Sequence, residues 1–286
     1  MPRPGSPPPL RWPAEQLWQT VVPWLPGFSV EILPEIDSSN SELMRRARAG
    51  RTEPVLLVAE HQSAGRGRMG RQWHSAAGSS LTFSLGLALE PADWSGLSLA
   101  VGVSLAESLS HLSGADVRIK WPNDLWLGSG KLAGILIETV STGASRFAVI
   151  GVGINLHEPA WRPPTSASAA GADPVPAAWL AGATPLDPPL NAPLNAPLNA
   201  PLDAPQVLGA VAGALVRDVL HFEREGWGAF APRFAPRDVL RGRSVRLSDG
   251  RSGLACGLSA SAALRVQTAR GIEEVNSGEV SVRPQD

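Results

Sequence analysis

Apolar and polar positions alternate from Phe28 onward in a way that predicts mixed α/β structure. FSVEIL at Phe28 and LTFSLGLAL from Leu81 read as strands because apolar residues recur at the two-residue period of a pleated chain, and VLLVAE at Val55 to Glu60 reads as a strand because it is a short, continuous apolar run. Between the first two, IDSSNSELMRRARAG reads as a turn and a helix, with Ser39 and Glu42 at capping-box spacing. Gly96 to Leu112 reads as an apolar helix. VRIKW then predicts a strand, DLWL-GSG-KLAGILIE a hairpin with a Gly-Ser-Gly turn, and FAVIGVGINL a further buried strand.

The pattern then breaks. Pro159 to Pro205 is loop-like and contains PLNAPLNAPLNAPLDAP, a four-residue repeat whose prolines sustain neither a helix nor a central strand. It reads as a solvated insertion. Helical periodicity resumes over Gln206 to Glu225 and extends towards Trp227 to Phe234. From about Arg237 the runs SVRLSDG, GLACG, LRVQT, IEEV and EVSVR are short and separated by Asp-Gly and Gly turns, which predicts a small antiparallel barrel. The expected organisation is a flexible extension over residues 1–27, a catalytic domain over 28–236 carrying the insertion at about 159–205, and the barrel over 237–286.

Composition narrows the options. At 286 residues with 43% hydrophobic content, the chain can bury a sizeable core. A formal charge of −1 argues against a protein whose main task is neutralising a polyanion. No apolar run reaches the roughly 18 residues of a membrane span, and MPRPGSPPPLRWP lacks a signal-peptide core, so a cytoplasmic location is expected. One cysteine, Cys256, excludes an internal disulfide framework. The five histidines have no metal-ligand spacing. Of 25 basic residues only Lys120 and Lys131 are lysines, which singles them out for work that a compact ammonium does and a guanidinium does not.

Four stretches carry candidate chemistry. In Gly65-Arg66-Gly67-Arg68-Met69-Gly70-Arg71-Gln72-Trp73 the glycines allow close backbone approach, Arg66, Arg68 and Arg71 can surround an anion, and Trp73 offers a flat face to a purine. The same run could be a basic loop for nucleic acid. Lys120-Trp121-Pro122-Asn123-Asp124 ends a strand with groups suited to phosphate, ribose or Mg²⁺, although Pro-Asn-Asp alone is an ordinary turn. Lys131 opens the strand KLAGILIE, where it either snorkels to solvent or serves a pocket. Gly151-Val152-Gly153-Ile154-Asn155 resembles half of a dinucleotide fingerprint without the third glycine; its glycines permit another group to approach the strand. Asp37-Ser38-Ser39-Asn40 at a helix start either caps the helix or holds a polar head group.

Taken together and in this order, these stretches resemble the biotin–protein ligases. GRGRxGRxW appears as Gly65 to Trp73, KWPND as Lys120 to Asp124, K-x-x-G-I-L-x-E as Lys131 to Glu138 and GxGxN as Gly151 to Asn155. The match spans about Ile36 to Leu156, and a terminal G-E-V-S (Gly278 to Ser281) fits the family's last domain. The resemblance implies an α+β fold: a mixed sheet flanked by helices, akin to the class II aminoacyl-tRNA synthetase core, followed by an SH3-like barrel. It implies activation of biotin by ATP and Mg²⁺ to biotinyl-5′-AMP and transfer to a lysine of a biotin carboxyl carrier domain.

By the same resemblance Ser38, Ser39, Asn40 and Gln62 hold the ring end of biotin, and Gly65, Arg66, Gly67, Arg68 and Lys131 its carboxylate side. Arg68, Arg71, Trp73, Lys120, Asn123, Asp124, Lys131 and Asn155 serve ATP, with Asp124 on Mg²⁺ and with Lys131, Arg66 and Arg68 catalytic. The family usually has S-T-N where this chain has Ser38-Ser39-Asn40. The chemistry needs cations, because two anions 4 Å apart repel by about 4 kcal/mol at an effective dielectric near 20. The glycine-rich loop is expected to order only with its ligands. No room is seen before Phe28 for the roughly 60-residue, three-helix DNA-binding domain some relatives carry, so no DNA or membrane partner is expected, while a homodimer is compatible. A lipoate ligase shares the core, and a biotin sensor without catalysis would need an output domain that the sequence does not display.

Overall fold

The computed structural model describes residues 10–76, 78–142, 145–158, 175–183, 202–276 and 282–284. Most of the Pro-rich insertion and the Gly278 to Ser281 motif lie outside the described residues.

Seven strands form the main sheet: β1 (Ser29–Ile36), β2 (Val55–Gln62), β3 (Ser80–Leu89), β4 (Val117–Lys120), β5 (Asp124–Leu127), β6 (Gly130–Thr142) and β7 (Ser145–Asn155). Their spatial order is β1-β2-β3-β7-β6-β5-β4, with β1 and β2 parallel and the other neighbours antiparallel. Both faces are covered, which is why β2 reads as an unbroken apolar run. Leu56, Val58, Ala148 and Ile150 belong to the large core under α3 (Leu97–Ser113) and α4 (Ala204–Glu225). Val55, Leu57, Phe147 and Val149 meet Leu43, Met44 and Ala47 of α2 (Ser39–Arg48) on the other face. β3 shows the two-residue period directly: Leu81, Phe83, Leu85 and Leu87 enter the large core, leaving Thr82, Ser84 and Gly86 for the α2 face.

Three expectations are corrected. The stretch up to residue 27 was expected to be flexible, yet over its described part the chain forms α1 (Ala14–Val21), which packs on α4 and β1. Its buried Leu17 and Val21 each contribute about 1.5–3 kcal/mol. The cap of α2 is Ser38, whose side chain accepts from Ser41 N–H at 3.3 Å; Ser39 and Glu42 form no capping box, because Glu42 pairs with Arg45 and Arg46. The last unit of the Pro-rich repeat belongs to α4: Asp203 and Gln206 make a reciprocal capping box with Pro205 in the first turn, a position that has no amide to lose. After Gly226, Trp227–Ala229 and Ala235–Arg237 are 3₁₀ turns around the short α5 (Ala231–Phe234).

The C-terminal strands β8 (Ser244–Leu247), β9 (Ser252–Leu258), β10 (Leu264–Thr268), β11 (Gly271–Val275) and β12 (Val282–Pro284) form a separate antiparallel sheet in the order β11-β10-β9-β8-β12, consistent with an SH3-like domain. It is fixed to β4 and the turn that follows it. Val239 N–H donates to Ile119 O at 2.9 Å, Arg118 donates to Asp238 O at 2.9 Å, and the buried Trp121 indole donates to Ala262 O at 3.1 Å. Among the described residues no helix is long and apolar enough to cross a membrane.

Candidate functional site

One cavity opens at the ends of the central strands on the α2 face. It is lined by Ser38, Ser39, Asn40 and Gln62, by Arg66 to Met69, Arg71 and Trp73, by Lys120 and Pro122 to Asp124, and by Lys131, together with Gly134, Gly151 and Gly153. Val282 of the C-terminal sheet also reaches it. Among the described lining residues Arg66, Arg68, Arg71, Lys120 and Lys131 face the single carboxylate of Asp124. A chain of nearly balanced charge thus concentrates cations around one hole, an arrangement that attracts anions.

The head of the cavity is a hydrogen-bonded polar floor. With Ser38 as the cap, Ser39 N–H and Oγ are free to donate to Gln62 Oε1, at 2.8 and 3.0 Å. Ser84, fully buried on β3, donates to Asn40 Oδ1 at 2.6 Å and lies 2.7 Å from Ser39 Oγ. Asn40 Nδ2 donates to Leu136 O at 3.2 Å and to Glu138 Oε2 at 3.0 Å. The two glycines of Gly151-Val152-Gly153 have a steric reason. A Cβ on Gly151 would overlap the Asn40 carboxamide, and one on Gly153 would overlap the Trp73 indole.

The Gly/Arg-rich loop is a small hairpin. Trp73 N–H bonds Gly65 O at 2.9 Å, Gly67 N–H bonds Arg71 O at 2.7 Å, and Met69 turns the tip in a left-handed conformation, φ 56°. Arg66 Nη2 lies 3.2 Å from Glu138 Oε1, and Arg68 Nη1 donates to Asn123 Oδ1 at 3.2 Å. Burial lowers the pKa of Arg68, Asp124 opposes that shift, and Arg71 adds to it. Trp73 Nε1 is buried with no hydrogen-bond partner among the described residues.

Lys131 enters the cavity because the β5–β6 register slips. Asp124 pairs with Gly134 and Leu125 with Ala133, but Trp126 pairs with Lys131, so one extra residue bulges at Leu132. The bulge turns Lys131 onto the face of Gly134 and Asp124, and its Nζ lies 2.7 Å from Asp124 Oδ1. Its backbone is held by a strap over 175–183: Lys131 N–H donates to Pro176 O at 2.8 Å, and Ala178 N–H to Lys131 O at 2.9 Å. Lys120 is buried and sits 5.7 Å from the Trp126 ring centroid.

Two sequence candidates fall outside the cavity lining. Asn155 donates to Lys131 O at 3.2 Å and Ala178 O at 3.1 Å, so its carboxamide ties the strap to β6. Gly65 serves the hairpin base. Two residues were missed, Ser84 and Glu138. Ser84 was marked by a hydroxyl in the polar phase of an otherwise buried strand, and Glu138 by ending the Lys131 motif without an assigned task.

Residues 35–155, the stretch that supplies all of this geometry except the strap and Val282, match the biotin/lipoate A/B protein ligase family. Over those residues, somewhat less than half of its length, the chain is similar to this family. Over 135 residues it is 48% identical to the bifunctional ligase/repressor BirA of Escherichia coli, covering 46% of this chain and 42% of that protein. Over 136 residues it is 39% identical to the biotin–[acetyl-CoA-carboxylase] ligase of Mycobacterium tuberculosis, covering 45% of this chain and 50% of that one. The chain thus spans about half the length, or less, of these curated relatives. The fold likeness runs further. The biotin protein ligase of Aquifex aeolicus, solved in complex with biotin and ATP, superposes with a TM-score of 0.70 at 26% identity, covering 90% of this chain and 99% of that one. The seven-stranded sheet with its helices and the C-terminal sheet therefore have the architecture expected from the motifs.

Proposed function

We propose that the protein is an ATP-dependent biotin–protein ligase, which makes biotinyl-5′-AMP and transfers biotin to a lysine of a carboxylase's biotin carboxyl carrier domain. The observation that carries this reading is the cavity in which Lys131, Arg66, Arg68 and Arg71 converge beside a polar floor of Ser39, Asn40 and Gln62. The floor has the paired donors and acceptors that suit a neutral ureido ring, and the cations suit a carboxylate brought against a triphosphate.

In the first step a biotin carboxylate oxygen attacks the α-phosphorus of ATP, the bond to the β-phosphate oxygen breaks, and pyrophosphate leaves. Lys131 holds a compact positive charge where both anions meet, and Arg66 and Arg68 add charge from the hairpin. Trp73 offers the nucleotide its ring face; Lys120, Asn123 and Arg71 serve the phosphates and sugar. The hairpin keeps water from the mixed anhydride. In the second step the carrier's lysine amine attacks the acyl carbon and AMP departs. Asp124 fits a Mg²⁺ held by one carboxylate plus substrate phosphates, the usual arrangement for that ion, and Mg²⁺ there would neutralise phosphate charge.

ATP–pyrophosphate exchange with biotin and with lipoate tests this reading. Biotin-dependent exchange, followed by a biotin mass increment on a carrier domain, is expected. Exchange with lipoate alone would reassign the substrate, and exchange with neither would remove the catalytic reading.

A further inference from the structure

We infer that Glu138 is a positioning residue that locks the polar floor of the cavity to the Gly65–Trp73 hairpin. The inference rests on the proposed reading for its consequence but not for its geometry. Glu138 is mostly buried near the middle of β6 and divides its two oxygens: Oε2 accepts from Asn40 Nδ2 at 3.0 Å, and Oε1 lies 3.2 Å from Arg66 Nη2. Asn40 in turn receives the Ser84 hydroxyl, which touches Ser39, which is bonded to Gln62. One carboxylate therefore ends a continuous chain that runs under the floor and emerges at the hairpin arginine.

Both of its contacts need an acceptor. A glutamine in the same position has one oxygen and one amide: if the oxygen stays on Asn40, the amide faces the Arg66 guanidinium, donor against donor. Glu138→Gln thus keeps size and rotamer while releasing either the floor or the hairpin. Arg66 is half exposed, so the ion pair is of the weaker kind. What it governs is the closed fraction of a nine-residue hairpin whose described internal bonds are few.

The test is a double-mutant cycle read by amide hydrogen exchange in the 65–73 segment, without ligand. Glu138→Gln and Arg66→Gln are each expected to speed exchange about two- to fivefold, and the double variant no more than either alone. Multiplying effects in the double variant, or unchanged exchange in Glu138→Gln, would overturn the inference. A second reading uses biotin. In the parent chain biotin should slow exchange in this segment, and in Glu138→Gln that protection should shrink while the melting temperature falls by no more than about 4 °C. Full protection in the variant would also overturn it. If biotin protects neither chain, the biotin reading fails, while the ligand-free cycle still decides the role of Glu138.

Discussion

Replacing Lys131 by alanine separates the chemistry of the cavity from the stability of the fold. The ammonium makes one ion pair, at 2.7 Å to Asp124, with the lysine side chain 31% and the aspartate 17% exposed. Partly solvated pairs of this kind contribute about 1 kcal/mol or less, and Arg68 remains close enough to act electrostatically on Asp124. The bulge that aims Lys131 is held by backbone bonds to Pro176 and Ala178, which alanine keeps. The loss in stability should therefore be about 1 kcal/mol, roughly 2–4 °C in melting temperature for a domain of this size. The loss in rate should be far larger. Removing one preorganised donor from a developing anionic centre costs about 10²–10³-fold. The assay is biotin-dependent ATP–pyrophosphate exchange per folded molecule, with circular dichroism melts on the same samples. Lys131→Arg keeps the charge but brings a planar fork against Gly134, which already lies close under the lysine's end, so it should fall between the two. Exchange in Lys131→Ala within tenfold of the parent would refute the assignment.

Three further outcomes follow from the same geometry. Gly153→Ala drives a methyl into the Trp73 indole; overpacking of this kind costs about 1–3 kcal/mol, so the KM for ATP should rise about tenfold with that for biotin nearly unchanged, and an unaltered ATP value would remove Trp73 from the nucleotide wall. Ser84→Ala strips Asn40 Oδ1 of its buried donor, a change that costs about 1–3 kcal/mol; the KM for biotin should rise about tenfold or more, and equal values in both chains would show that the floor does not need Ser84. Burial raises the pKa of Asp238, and its Oδ2 has no partner among the described residues. A raised folded pKa means that its stabilisation is complete below the unfolded value of 3.8 and is lost as pH climbs through the folded one. The melting temperature of the parent relative to Asp238→Asn should therefore fall from acid towards neutral pH, and a difference independent of pH would contradict the shift.

Much of the fold was legible because the strands announce their own burial. VLLVAE is apolar on both faces and is covered on both, and LTFSLGLAL alternates as its two faces do. The motif segments were legible because glycines and a scarce lysine have few other uses at strand ends. What escaped depended on partners distant in sequence. The packing of α1 rests on α4, more than 180 residues on, and no local signal distinguishes Leu17 and Val21 from an ordinary short apolar pair. Asn155 closes a motif, but the strap that it bonds comes from residues 175–183, where the local pattern reads as loop. Ser38 and Ser39 are chemically identical neighbours, and which one caps the helix is decided by Gln62 across the sheet, since it claims the other.

The anchoring of Val239 alongside Ile119 has a consequence for how this molecule meets others. β4 is the last strand on its side, and a terminal strand ordinarily offers a bare ladder of amides and carbonyls onto which a foreign strand can zip. Here the polypeptide doubles back and occupies part of that ladder with its own backbone, in parallel, just before it enters the C-terminal domain. The connector thus acts as a selvedge, finishing the fabric at this border and discouraging its extension by another chain.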